Sequence, residues 1–497
     1  MRKLIFHTLF FSLFLFSLPA SSQSSVVPQP IKQLMAADYM RGITFSMKAT
    51  NIRTGEVHYA FDADRMVTPA SVLKLVTTIT ALELLGDDYC FPTTLEYDGE
   101  IRDGVLYGNL YIRGSGDPSL GSSHIVADRA NYRADKNRFI PQWIAAVEKA
   151  GIQRISGAVI ADDLLFDEEG LSPKWSAEDL GSYYGAGSYG LSVFDNLYTL
   201  YLRTGEVGSR PELLDSDPDV SSIRFHNRLT VTQVATDSSY IVGAPYINER
   251  RLYGVVPPHK ARYPLRGDIP NPPLFLAEWV TKAFARHGII CDKAATSCRL
   301  LQEEGEWKAA PRNELVTTYS PPLRELVRIT NGVSHNLYAD ALLKRIGLFY
   351  QPKGNEQLSS FNRGIRVLES HWRQKGMDVS RLLMYDGSGL ASADKLTAAF
   401  LVDLLCHIHQ SSPEREAFGQ SLPKAGQEGS VRNFLRGTKL EGKARLKSGG
   451  MSGVRSYAGY ISYEGEVYAV ALFANNYRCT SGTITRALEK MLLNLFP

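Results

Sequence analysis

Cysteine is scarce, with five in a chain of 497 residues. That scarcity excludes a disulfide scaffold, which small exported frameworks build from a dense set of bridges. Cys291 and Cys298 are close enough in sequence to form one bond, and Cys90, Cys406 and Cys479 read as small core residues. Charge of one sign is missing too. The formal net charge is +3 with no long run of like charges, so no nucleic-acid partner is expected. The metalloprotease pattern H-E-x-x-H and the hydrolase elbow G-x-S-x-G are both absent. Cys406, His407 and His409 are near neighbours, but on a helix the two histidines face different ways. Gly114 and Gly116 lack the third glycine of a phosphate loop, and Pro118 blocks the helix such a loop needs, so this stretch reads as a turn after a strand. There is no internal repeat and no low-complexity linker.

Long hydrophobic runs are confined to the first residues. Arg2 and Lys3 precede an apolar run over residues 4–18, then Pro19, Ala20, Ser21 and Ser22. This order predicts a signal peptide over residues 1–22, cleaved after Ser22, and hence an exported protein. The run falls short of the roughly 20 residues that span a bilayer, and no cysteine near Ala20 offers a lipid site. No transmembrane span is expected after cleavage.

The remaining length suits two or three domains. Residues 42–50 and 57–63 alternate like paired strands around a polar turn. Residues 444–449, 456–463 and 467–475 read as three more strands, with Glu464, Gly465 and Glu466 as a hairpin turn. A terminal helix follows, with Ile484, Leu488, Met491, Leu492 and Leu495 on one face. The two ends of the chain thus read as halves of one five-stranded sheet with helices on either side. Between them, residues 94–97, 105–113, 155–162, 197–203, 229–234 and 251–256 read as short strands of one or two inserted domains. Helices return at 323–328, 337–347, 361–375 and 395–409. The expected division is 26–90 with 317–497 as one domain, and 91–316 as a β-rich insertion.

Ser71 and Lys74 are the first candidate pair. They are one turn apart at the start of an apolar helix, so both face the same way in a buried setting. A desolvated lysine loses its preference for charge and can accept a hydroxyl proton, which activates the serine as a nucleophile. A capping box places Glu or Gln where Lys74 stands, so simple capping does not account for the pair. S-x-x-K recurs at Ser392 to Lys395 and at Ser421 to Lys424. The first of these opens an ordinary helix, and Pro423 interrupts the second. Ser334, His335 and Asn336 lie between two helical segments, where a loop can aim a hydroxyl and an amide into a cleft. Lys447, Ser448, Gly449 and Gly450 end a strand, placing a cation, a hydroxyl and a close-approach backbone beside an anionic substrate.

In this order, S-x-x-K on a buried helix, S-x-N and K-[S/T]-G on a strand resemble the penicillin-recognising serine acyltransferases. The long separation between Ser71 and Ser334 narrows the resemblance to the D-alanyl-D-alanine carboxypeptidases and endopeptidases of low-molecular-mass class C. Residues 114–120 (GSGDPSL), 386–390 (DGSGL) and 452–460 (SGVRSYAGY) agree with that family, and the resemblance covers nearly the whole mature chain.

The resemblance implies an α+β transpeptidase-like domain: a five-stranded antiparallel sheet with flanking helices and a helical subdomain. It implies Ser71 as acylated nucleophile, Lys74 as general base, Ser334 as proton relay toward the leaving amine, and Lys447 in the proton network. Asn336 holds a substrate peptide group, Ser448 binds the terminal carboxylate, and the N–H groups of Ser71 and Gly450 form the oxyanion hole beside Gly449. The implied substrates are peptidoglycan stem peptides, with β-lactams as acylating inhibitors, in the periplasm or cell envelope. No metal and no organic cofactor is implied. The chain departs from the usual pattern at His335 (for Asp), Ser448 (for Thr) and Gly450 (for Ser or Thr), and the last two touch carboxylate recognition. A β-lactamase or esterase on the same fold is the enzymatic alternative, marked by fast penicillin turnover. A non-catalytic cell-wall binding protein is the other, and the retained site residues argue against it.

Overall fold

Period-two alternation at both ends of the chain produces the strands of a single sheet. The computed structural model describes residues 27–125, 135–235, 237–352, 354 and 356–497, so the expected signal peptide lies outside the described residues. Strands β1 (Thr44–Asn51), β2 (Val57–Phe61), β3 (Ala444–Met451), β4 (Val454–Tyr463) and β5 (Glu466–Asn475) pair in the order β2-β1-β5-β4-β3, antiparallel throughout. The sheet therefore closes the N-terminal hairpin onto the C-terminal meander, with β3 at one edge.

Alternation also decides what each face covers. Along β5, Ala469, Ala471 and Phe473 enter the core shared with α1 (Lys74–Leu85), α2 (Leu323–Val333), α3 (Asn336–Ile346) and α4 (Ala398–Ser411). Tyr468, Val470, Leu472 and Ala474 turn to the other face, against α5 (Ser481–Leu495). Helix α1 is buried nearly all round, from Lys74 to Leu82, because sheet and helical layer meet over it. Among the described residues no helix is long and apolar enough to cross a membrane.

The stretch between the two halves has its own apolar core, centred on residues such as Trp143, Ile155, Leu202 and Phe284. Its main sheet orders Thr296–Ser297, Val159–Asp162, Leu110–Arg113, Pro92–Tyr97 and Asn313–Tyr319. The last of these strands carries the pairing to Tyr319, past residue 316, because it returns along Pro92–Tyr97 before the chain re-enters the helical layer. Helices Phe139–Lys149 and Pro272–Arg286 also lie in this stretch, which the sequence reading assigned to strands and turns.

Cys291 and Cys298 are not bonded, contrary to the expected bridge. Cys291 ends a strand paired with Arg154–Ile155, whereas Cys298 follows a strand paired with Ile160–Ala161 in a different sheet. The seven-residue spacing that suggested a bond is used to step between sheets. His407 and His409 face apart as expected: His407 meets Glu83, and His409 packs against Tyr460.

Candidate active site

Ser71 sits in a single 3-10 turn, Ala70–Leu73, immediately before α1. The sheet holds this turn from behind. Asn475 accepts from the Thr68 N–H at 2.7 Å and donates to its carbonyl at 3.1 Å, and Ser456 Oγ donates to the Pro69 carbonyl at 2.6 Å. Ala70 takes φ 49°, a left-handed conformation that costs a non-glycine residue energy and turns the chain sharply into the serine. A Cβ at Gly449 would stand 2.7 Å from the Pro69 carbonyl oxygen and 3.0 Å from the Ser71 nitrogen. Only glycine lets β3 lie this close to the turn.

Lys74 is fully buried, and its Nζ has three partners. Ser71 Oγ lies at 3.1 Å, Asn336 Oδ1 at 2.6 Å and the Ser388 carbonyl oxygen at 2.6 Å. Burial lowers the Lys74 ammonium to about 8, against the opposing pull of the carboxyls of Asp340, Asp386 and Asp394. Asp340 and Asp394 are themselves pushed well up by burial. The Ser388 carbonyl is aimed by its own loop. Asp386 accepts from the N–H groups of Ser388, Gly389 and Ala391 and from Trp175 Nε1 at 2.6 to 2.9 Å, while Asp340 accepts from the Gly387 N–H at 2.8 Å.

A second lysine pair stands beside the first. Lys447 is fully buried, and its Nζ donates to Ser334 Oγ at 2.9 Å and to the Ser448 carbonyl at 2.6 Å. Burial, then the neighbouring Lys74, pushes Lys447 well below the ordinary lysine range. Ser334 caps α2 with φ 65°, and that left-handed bend separates α2 from α3 and swings Ser334 and Asn336 to the same cleft. Asn336 Nδ2 donates to the Tyr184 carbonyl at 2.8 Å, tying the helical layer to the intervening stretch. Ser448 Oγ is 2.8 Å from Ser430 Oγ, and Gly450 lies opposite Arg455 on the edge strand. His335 turns away, toward Asp195, His124 and Tyr338.

The structure brings Ser71, Lys74 and Asn336 into one hydrogen-bonded cluster, and Ser334, Lys447 and Ser448 into a second. Ser388, Asp386, Asp340, Ser430 and Tyr184 were not singled out as site residues by sequence reasoning. Asp340 carried a legible signal, because it follows Asn336 by one helical turn on a buried face. Ser388 and Tyr184 act through backbone carbonyls, which leave no residue-type signature.

The chain is similar to several known proteins. The chain is 27% identical over 457 residues to the D-alanyl-D-alanine carboxypeptidase of Actinomadura sp., covering 88% of this chain and 79% of that one. The crystal structure of penicillin binding protein 4 from Haemophilus influenzae superposes with a TM-score of 0.77 at 20% identity, covering 94% of this chain and 98% of the other. The same protein complexed with a β-lactam matches at 0.73, with the same identity and coverage. The model of the D-Ala-D-Ala carboxypeptidase 3 (S13) family matches residues 28–495. The chain belongs to the D-Ala-D-Ala carboxypeptidase 3 (S13) family.

Proposed function

We propose that Ser71 is the acylated nucleophile of an exported serine D-Ala-D-Ala carboxypeptidase acting on peptidoglycan stem peptides, and that Lys74 is its base. One observation carries this reading: the hydrogen-bond inventory around Lys74 Nζ. Two of its three partners are carbonyl oxygens, which only accept. A neutral amine gives its two N–H bonds to those carbonyls, and its lone pair then faces Ser71 Oγ. Burial keeps a usable fraction of that amine, about a tenth at pH 7 for a group titrating near 8.

In the proposed reaction, Lys74 takes the Ser71 proton as Oγ bonds to the carbonyl carbon of the penultimate D-alanine. The N–H groups of Ser71 and Gly450 receive the oxyanion. Collapse breaks the peptide bond, and the proton held by Lys74 passes by way of Lys447 and Ser334 to the departing amine, which leaves Lys74 a free amine again. Water then attacks the Ser71 ester and releases the shortened peptide. Ser448, in the field of Lys447 and beside Ser430, binds the terminal carboxylate, and Gly449 and Gly450 let the substrate lie along β3. Asn336 holds the substrate amide. Cutting of D-alanyl cross-links falls within the same chemistry, with Tyr184 and its neighbours shaping that end of the cleft. The same reading treats residues 91–316 as inserted between the two halves of the catalytic domain, and the basic-apolar leader supports export to the periplasm or cell envelope.

The test is labelling with a fluorescent penicillin alongside D-alanine release from a pentapeptide. Ser71→Ala is expected to abolish both while the protein keeps its melting temperature. Undiminished D-alanine release from that variant would sink the assignment, and rapid penicillin turnover in place of a stable adduct would move it to a β-lactamase.

A further inference from the structure

The side chain of His335, set between Ser334 and Asn336, joins a cluster that the proposed reaction leaves unused. His124, Asp195 and His335 each offer one ligand atom, and these atoms all lie within 4.8 Å of one another. His335 Nε2 is 3.4 Å from Asp195 Oδ1. That is long for an N–H···O bond, whose usual length is about 2.9 Å. It equals the edge of a tetrahedron whose ligands stand about 2.0–2.1 Å from a central ion, roughly 3.4 Å. Oδ1 is buried with no hydrogen-bond partner, although the Asp195 side chain is only 4% exposed. The other oxygen, Oδ2, is fixed by the N–H and hydroxyl of Ser123 at 3.0 and 2.8 Å, as the outer oxygen of a ligating carboxylate commonly is.

The backbone beneath Asp195 is strained. Phe194, Asp195 and Asn196 take φ values of 54°, 59° and 54°, three left-handed residues in succession without a glycine. Each such residue is strained and persists only where the surroundings fix it. Asn196 does the fixing: Oδ1 accepts from the Val193 N–H, and Nδ2 donates to Ser192 Oγ and the Gly187 carbonyl. From the middle of this run Asp195 holds a carboxylate oxygen within 4.8 Å of a ring nitrogen of each histidine.

We infer that His124, Asp195 and His335 bind one divalent transition-metal ion of the Zn2+ class, which clamps the Ser334 to Asn336 turn to the intervening stretch. Two imidazoles and a carboxylate are the donor set such ions prefer, and their net charge of −1 suits a dication. A fourth ligand position remains for water or another donor. Two of the ligands come from the stretch between the halves and the third from the junction of α2 and α3, so the ion joins the two layers behind the cleft. The other histidine cluster does not compete on these grounds. There Glu83 holds His371 at 2.8 Å and the Lys375 ammonium at 2.9 Å, and that ammonium already occupies the place of a cation.

The experiment uses the full mature chain, stripped with a chelator and dialysed against Zn2+, followed by metal analysis and hydrogen exchange. About one Zn2+ per chain is expected in the wild type, with slower exchange over residues 334–339. His124 is exposed, so His124→Ala is expected to fold, to lose most of the bound Zn2+ and to lose the added exchange protection. Asp195→Asn provides a second variant, and His371→Ala, at the Glu83 cluster, should bind as the wild type does. Failure of the wild type to bind Zn2+, or equal binding by His124→Ala, overturns the site. Binding without slower exchange at residues 334–339 overturns the clamp. Neither readout depends on Ser71 being the nucleophile.

Discussion

Lys74 and Asn336 are 262 residues apart in the chain and 2.6 Å apart in the fold, joined from Nζ to Oδ1. That contact spans the seam between α1 and α3 and settles which way Lys74 faces. Because the same nitrogen is also held by the Ser388 carbonyl, the remaining direction is toward Ser71. The cluster depends on the burial of Lys74, and its predictions follow from that burial.

The first concerns pH. Lys74 is lowered to about 8, and its free-base form is the one that accepts the Ser71 proton. The acylation rate constant for a penicillin is expected to rise about tenfold per pH unit below that value and to level off above it. Stopped-flow or gel-based labelling between pH 6 and 9.5 measures the limb. A flat profile over that range would show that Lys74 does not deliver the base.

Gly389 supplies the second. It has φ +74°, and a Cβ there would collide with the Ala70 carbonyl, one residue before the nucleophile. Gly389→Ala is expected to destabilise by about 1–3 kcal/mol and to reduce acylation further than the loss of folded protein explains. Thermal melts and labelling on the same sample separate the two effects. Wild-type acylation in a folded Gly389→Ala protein would remove the loop from any role in shaping the Ser71 turn.

The sheet was readable because alternation marks a half-buried strand wherever it falls, and the two chain ends carried it clearly. The reading was weaker between them. Pro272–Arg286 has a capping Asn271, which accepts from the Leu274 N–H, and prolines in its first turn, a legible helix start set among short strands. At the site, Ser71, Lys74, Ser334, Asn336, Lys447 and Ser448 were found as motifs, whereas the supporting side chains of Asp340, Asp386 and Ser430 were not. Ser388, which acts through a carbonyl, was not either, since any residue type presents the same group. The expected bridge between Cys291 and Cys298 failed because sequence spacing says nothing about which sheet each strand joins.

Asp386 gives a third prediction. Its Oδ1 accepts from Ser388 and Gly389, and its Oδ2 accepts from Ala391 and Trp175. In Asp386→Asn, whichever way the amide is placed, an NH2 group faces two donors. Leaving two buried donors without an acceptor is expected to cost about 3 kcal/mol or more. Trp175 emission is expected to shift as its indole N–H loses its partner. Denaturant melts with Trp fluorescence check both, and an unchanged midpoint would contradict the hold of Asp386 on the Ser388 loop.

Asn336 tests the electrostatics of the base directly. Asn336→Asp keeps the shape of the side chain but puts a carboxylate at the oxygen now 2.6 Å from Lys74 Nζ. An opposite charge at that distance favours the ammonium and is expected to raise the Lys74 pKa by about 1–3 units. Since only the free amine accepts the Ser71 proton, the acylation limb moves to higher pH by the same amount, and labelling at pH 7 slows at least tenfold. Raising the pH should then recover much of the rate. Asn336→Ala removes the contact without adding charge, so it is expected to slow acylation with no upward displacement of the limb. Labelling both variants across pH 6 to 10.5 distinguishes the two outcomes. If the Asp variant is slow but its limb stays where the wild type has it, Asn336 acts by positioning alone, and the amine at Lys74 is not tuned through this contact.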